Sequence, residues 1–110
     1  MANTFKLKTK ANVGVTTTAV YVVPNSPSTT TVVIGVTLAN TTGSSINVGV
    51  GVTRASTDDV NLMKNVPIPQ GSSFEFMGGN KVVLETTDTF TAVSDVNNSL
   101  DVALTIMEIT

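Results

Sequence analysis

Between Thr31 and Arg54 the chain alternates branched apolar residues with small or polar ones for most of its length. Val32, Ile34, Val36 and Leu38 fall on one parity, and Ile46, Val48, Val50 and Val52 fall on one parity of the second half. Successive side chains of a strand point to opposite faces, so this period places eight apolar residues on one surface and excludes a helix. Asn40-Thr-Thr-Gly-Ser44 lies between the halves and supplies the residues of a tight reversal, which predicts a β-hairpin. Valine and threonine, both β-branched, make up about a third of the chain.

The same reading extends along the chain. Val15 to Val23 reads as a strand stopped by Pro24-Asn-Ser-Pro-Ser28, and Val60 to Val66 as a strand after the polar loop Ala55-Ser-Thr-Asp-Asp59. Phe74 to Met77 and Lys81 to Glu85 read as two short strands around Gly78-Gly-Asn80. Thr89 to Ser94 and Leu100 to Ile109 complete the set, with Leu100, Val102, Leu104 and Ile106 sharing a face. About eight strands separated by polar turns predict an all-β, antiparallel two-sheet β-sandwich of jelly-roll or immunoglobulin-like type. Its core is expected from the eight hairpin residues, together with Phe74, Phe76, Leu84, Val102, Leu104 and Ile106. Proline cannot donate a ladder hydrogen bond, so Pro67 and Pro69 are expected to end a strand and guide the chain to the other sheet.

Residues 1–12 differ in charge from the rest of the chain. They carry Lys6, Lys8 and Lys10 and no acid, leaving three basic against eight acidic side chains in the remainder. Phe5, Leu7 and Thr9 alternate with the lysines, so an extended arm would have one apolar and one basic edge. The division expected is an N-terminal arm over residues 1–12 and a β-sandwich domain over residues 13–110. No apolar run reaches membrane-spanning length and the N-terminus lacks a signal peptide's apolar core, so synthesis in the cytoplasm without export is expected. Three lysines and one Phe are a weak footprint for nucleic acid, and no nucleic-acid or membrane partner is expected.

With no Cys and no His there is no thiol nucleophile, no imidazole base and no ordinary zinc site. The chain has no Trp, one Tyr and four Phe, few platforms for a sugar. Asp95 to Asp101 offers closely spaced oxygens, but Ile106 stands where an EF-hand places its bidentate Glu. Asn40-Thr-Thr42 and Asn97-Asn-Ser99 fit the glycosylation pattern and equally fit turn chemistry. The expectation is no catalytic residue, no metal site and no cofactor. Charged residues are 13% of the chain, low for a surface wholly in water. The other parity of the central stretch holds Val33, Gly35, Thr37, Asn47, Gly49 and Gly51, all uncharged and mostly small. Glycine within strands often marks close approach of another backbone. These six residues and Phe5, Lys6, Leu7, Lys8 and Lys10 are the candidate contacts between subunits.

Val66-Pro-Ile-Pro-Gln-Gly-Ser-Ser-Phe-Glu75, Gly78-Gly-Asn-Lys81, Val83-Leu-Glu85, Asp88-Thr89 and Asp101-Val-Ala-Leu104 make up one pattern together with three segments of the first half. Those are Val20-Tyr-Val-Val-Pro24, Thr29-Thr-Thr-Val-Val-Ile-Gly35 and Leu38-Ala-Asn-Thr41. Together they resemble small tailed-bacteriophage virion structural proteins over about residues 20 to 110. The resemblance implies a β-sandwich in the head, neck or tail of a virion, with no catalytic residues to carry over. The function expected is a capsid decoration (cement) protein bridging subunits. Its partners would be the major capsid protein, other virion proteins and copies of itself. The alternatives are a neck or tail accessory protein and, from another class, a carbohydrate-binding module.

Overall fold

The computed structural model describes residues 3–25, 28–54, 59–76 and 82–110, with backbone alone over 74–76. Nine strands form and no helix among these residues: β1 (Asn3–Val13), β2 (Thr18–Val22), β3 (Thr30–Asn40), β4 (Ile46–Thr53), β5 (Val60–Ile68), β6 (Ser73–Phe76), β7 (Val82–Leu84), β8 (Thr89–Ser94) and β9 (Leu100–Ile109). They make two antiparallel sheets packed as a β-sandwich. One sheet runs β1-β9-β3-β6, with β7 also on β3, and the other runs β2-β8-β4-β5. The pairs β1·β9, β2·β8, β3·β6/β7 and β4·β5 nest inside one another along the chain. A long antiparallel ribbon rolled into two sheets has this order, which is that of a jelly roll.

The expected hairpin is not a hairpin. β3 and β4 lie in different sheets, and residues 41–45 carry the chain from one to the other. The physical reason is in Asn40, whose side-chain amide donates to Ser44 O at 2.8 Å, Ile68 O at 2.9 Å and Pro69 O at 3.2 Å. Its Oδ1 accepts from the Thr42 amide at 2.9 Å and hydroxyl at 2.8 Å, so one buried side chain ties the connection to the end of β5. β3 instead pairs with β9 from Thr30 to Asn40, and β4 with β8 from Val48 to Thr53. The apolar parities of β3 and β4 therefore meet across the core instead of lining one sheet.

Alternation along β3 also breaks once. A bulge between Val33 and Gly35 shifts the register against β9. An extra residue in one strand re-aims the side chains beyond it. Val36 and Leu38 face the core as expected, but before the bulge Thr31 and Val33 are the buried residues, and Val32 and Ile34 are half-buried. Ile46, Val48, Val50, Val52, Leu84, Val102, Leu104 and Ile106 are buried as expected, joined by Val13, Tyr21, Val23, Ile68, Phe90 and Leu100. Phe74 and Phe76 lie outside the described side chains.

β6 and β7 do not pair with each other either. They lie end to end along one edge of β3, β6 opposite Val36–Ala39 and β7 opposite Thr31–Val33. They share one strand position, and the strand beyond the eight expected is β1, formed by the segment expected as an arm. The expected turn over Gly78–Asn80 falls outside the described residues, as does the loop over 55–58. Pro67 sits in the edge strand β5, and the chain crosses sheets after it through Gly71, whose φ is 66°.

β4 runs between β8 and β5, and its glycines answer to β5. Two register shifts bring β5 backbone close, so a Cβ on Gly51 would meet Val60 O at 2.7 Å and one on Gly49 would meet Val93 Cγ1 at 3.3 Å and Met63 O at 3.4 Å. The close approach inferred from these glycines is within the chain.

The break in β3 has a direct consequence for stability. Leu38→Ala, in the core, should cost about 2–5 kcal/mol, and Val32→Ala, before the bulge and outside the core, clearly less. Urea unfolding of both variants checks this, and equal losses would place the bulge elsewhere.

Candidate interface on the outer face of the five-stranded sheet

β1 is the edge strand of the five-stranded sheet, paired with β9 from Asn3 opposite Ile109 to Lys10 opposite Val102. A second bulge follows, with Asn12 at φ 58° and its amide donating to Asp101 Oδ1 at 3.0 Å, before Val13 enters the core. Residues 3–12 contribute no buried side chain of their own. The segment expected as an arm is thus laid down as a strand, and the boundary after residue 12 falls at this bulge.

Register decides which edge of β1 faces which way. Lys6, Lys8 and Lys10 are opposite Ile106, Leu104 and Val102, the buried residues of β9, so the lysines are on the inner side and Phe5 and Leu7 on the outer. Lys6 Nζ reaches Glu108 Oε1 at 2.8 Å, and Lys8 Nζ stands 5.8 Å from the Tyr21 ring centroid, within cation–π range. Glu108 is itself buried and its Oε2 accepts from the Tyr21 hydroxyl at 2.6 Å, which also bonds Thr31 Oγ1 at 2.8 Å. Four strands from both sheets meet in this cluster. The acidic group that Lys6 meets is therefore the chain's own Glu108. Lys6, then the Tyr21 hydroxyl, hold the Glu108 carboxyl below the usual carboxylate range against the opposing effect of burial. Burial, then the hydrogen bond given to Glu108, push the Tyr21 phenol up to about 12.

On the outer side an apolar row crosses the sheet. Phe5 is opposite Met107, Met107 opposite Val32, and Val32 opposite Val83. Phe5 is 71%, Leu7 64% and Val83 59% exposed. Outward positions of a sandwich are ordinarily polar, and a contiguous exposed apolar patch marks an interaction surface. Toward the other end of the same strands the side chains shrink. Thr9, Ala11, Thr37, Ala39 and Ala103, with Val102 and the charged Lys10 and Asp101, line a shallow hollow of about 240 Å³.

The residues singled out from sequence thus separate. Phe5 and Leu7 belong to the outer row, Thr37 to the hollow, and Gly35 to the bulge of β3 with open space beyond its Cα. Val33 is wholly in the core, and Gly49 and Gly51 are buried in β4, Gly51 at the floor of a polar hollow with Thr17, Asn61 and Thr91. Asn47 is exposed on the other sheet, its amide donating to Asp95 Oδ1 at 3.0 Å. Lys6 and Lys8 are engaged within the chain, while Lys10 is exposed. Sequence reasoning missed Val32, Val83, Ala103 and Met107. The signal was present in β9, where Ala103, Met107 and Ile109 occupy outward positions that a solvated face would fill with polar residues.

Asp95 and Asp101 each accept a backbone amide from another strand, Asp95 from Asn47 in β4 and Asp101 from Asn12 at the bulge of β1. No group of three or more His, Cys, Asp or Glu is placed to hold a metal among the described residues, and no helix there is long and apolar enough to cross a membrane.

No protein-family model matches the chain, and no curated protein matches it. The fold is shared with a solved structure. It is a chain from Bacillus endospore appendages, described as a novel family of disulfide-linked pili, with a TM-score of 0.59 at 14% identity over 99% of this chain and 87% of that one. At this identity the likeness is one of fold. The present chain has no cysteine, so a disulfide link is closed to it.

The buried cluster gives stability a pH dependence with a definite sign. A depressed carboxyl pKa stabilises above the ordinary glutamate value of about 4.3, and that contribution is lost as pH falls through the depressed value. A raised phenol pKa stabilises below the ordinary value of about 10. That contribution is lost as pH rises through about 12. Denaturant unfolding across pH should show a shallower acid limb for Glu108→Gln and a shallower alkaline limb for Tyr21→Phe. Limbs identical to wild type would remove the cluster from the account.

Proposed function

We propose that the chain is a non-catalytic structural subunit of a tailed-bacteriophage virion, present in many copies as a capsid decoration protein. The observation that carries this reading is the apolar outer face of the five-stranded sheet, with Phe5, Leu7 and Val83 left in water by the isolated chain. A chain of 13% charged residues that turns its three N-terminal lysines to the inner side of β1, two of them onto partners, is suited to having that face covered in an assembly. The sequence resemblance to virion proteins over residues 20 to 110 supports the setting. The pilus-forming chain with the same fold supports the use of a jelly roll as an assembly subunit. The carbohydrate-binding alternative is weakened because Tyr21 is buried and unable to offer its ring to a sugar.

The reading is tested by adding purified chain to virions assembled without it, then sedimenting the particles and counting copies. Saturable attachment to heads is expected. Attachment of the Phe5→Asp variant should be weaker by an order of magnitude or more, with wild-type melting. Saturable attachment to necks or tails would overturn the decoration role in favour of an accessory protein there. No attachment to any part of the particle would overturn the virion reading itself.

A further inference from the structure

We infer that the outer face of the five-stranded sheet binds a second copy of this chain, face to face about a two-fold axis. Phe5 and Leu7 of each copy seat in the other's hollow of Thr9, Ala103 and Thr37. This deepens the multi-copy reading above and rests on it for its biological setting, though its chemistry can be tested on the isolated chain.

Size is the first argument. Strands of 11, 10 and 11 residues (β1, β9 and β3) form the body of this face, with β6 and β7 sharing the fourth position. At about 3.3 Å per residue and about 4.8 Å between strands, the face measures roughly 33 by 19 Å, or about 600 Å² before side-chain relief is added. Stable interfaces bury about 800 Å² on each partner. One copy of the same face is thus a partner of the right extent.

Relief is the second argument. Along the strands the face has a raised end, Phe5, Leu7 and Met107, and a low end, where small residues leave the hollow of about 240 Å³. A two-fold axis lying in the plane between the facing sheets, nearly perpendicular to the strands and passing midway between Phe5 and Ala103, exchanges those ends, so each raised end meets a hollow. Such an interface is self-complementary, and it closes at two copies instead of growing into a fibre. Charge does not oppose it. Among the described outward side chains of β1, β9 and β3 only Asp101 is charged, its Oδ1 already accepting the Asn12 amide, and Lys10, which also lines the hollow, is of opposite sign.

The chain has no native cysteine, which makes cross-linking an unambiguous test. Phe5→Cys and Ala103→Cys variants are mixed and mildly oxidised, with Phe5→Cys and Thr91→Cys as the control, since Thr91 lies in the other sheet. A mixed disulfide dimer between the first pair, at least tenfold over the control, is expected. Sedimentation of the wild-type chain should show a dimer, and Phe5→Asp a monomer with unchanged melting. Equal cross-linking to Thr91 and Ala103, or a wild-type chain that stays monomeric at high concentration, would overturn the inference. A monomer that still attaches to virions would leave the proposed function standing with a different occupant for the face. A dimer that attaches to no part of the particle would do the reverse.

Discussion

β9 is hydrogen-bonded along its whole length on both sides, to β1 and to β3, and the rest of the molecule depends on this double ladder. Its inward residues Leu100, Val102, Leu104 and Ile106 are core, and its last inward residue, Glu108, gathers Lys6, Tyr21 and Thr31. Its outward residues Ala103, Thr105, Met107 and Ile109 run down the middle of the candidate interface. Because strand side chains alternate, one residue of slippage in β9 would exchange core and interface together. The bulge in β3 and the bulge at the end of β1 both occur against β9, whose own core parity stays unbroken from Leu100 to Glu108.

The orientation of β1 follows from that ladder and joins stability to function. Pairing sets Lys6 and Lys8 where a carboxylate and an aromatic ring meet them inside the fold, and the same pairing leaves Phe5 and Leu7 facing water. Full burial of an apolar side chain of this size stabilises by about 1.5–3 kcal/mol. The exposed row is therefore a reserve of association free energy, of which only the part exceeding the cost of immobilising a partner appears as affinity. Inward-pointing lysines on an exposed edge also discourage further strands from adding to β1. In the proposed assembly, association is thereby directed to the face of the sheet and away from its edge.

Much of this was legible in the residues, and the misses have physical causes. Alternation located β8 and β9 to the residue and named most of the core, because period two survives wherever one face is buried. It could not tell a hairpin from a crossing between sheets, since Ile46 to Val52 faces the core either way. That choice was made by the hydrogen bonds of Asn40, which reach the far end of β5 and leave no local pattern. The bulge in β3 was hidden because Val32, Val33 and Ile34 are consecutive apolar residues that suit either register. The glycines of β4 were correctly read as close approach but assigned to the wrong neighbour, since sequence cannot show that β5 bulges toward them. For the candidate interface, Phe5 and Leu7 stand out by their period with the lysines. Met107, Val32 and Val83 come together only through pairing across three strands.

The central claim is that the outer face of β1, β9 and β3 is the surface covered in the assembly. Met107 lies on that face, and Met63 in β5 of the other sheet is similarly half-buried and serves as an internal reference. Peroxide oxidation converts an accessible methionine to its sulfoxide, and mass spectrometry reads both sites in one sample. Between the dilute chain and the assembled particle, oxidation of Met107 should slow by an order of magnitude or more while that of Met63 is unchanged. Oxidation of Met107 that is as fast in the particle as in the dilute chain would show that this face is left uncovered, and would contradict the account.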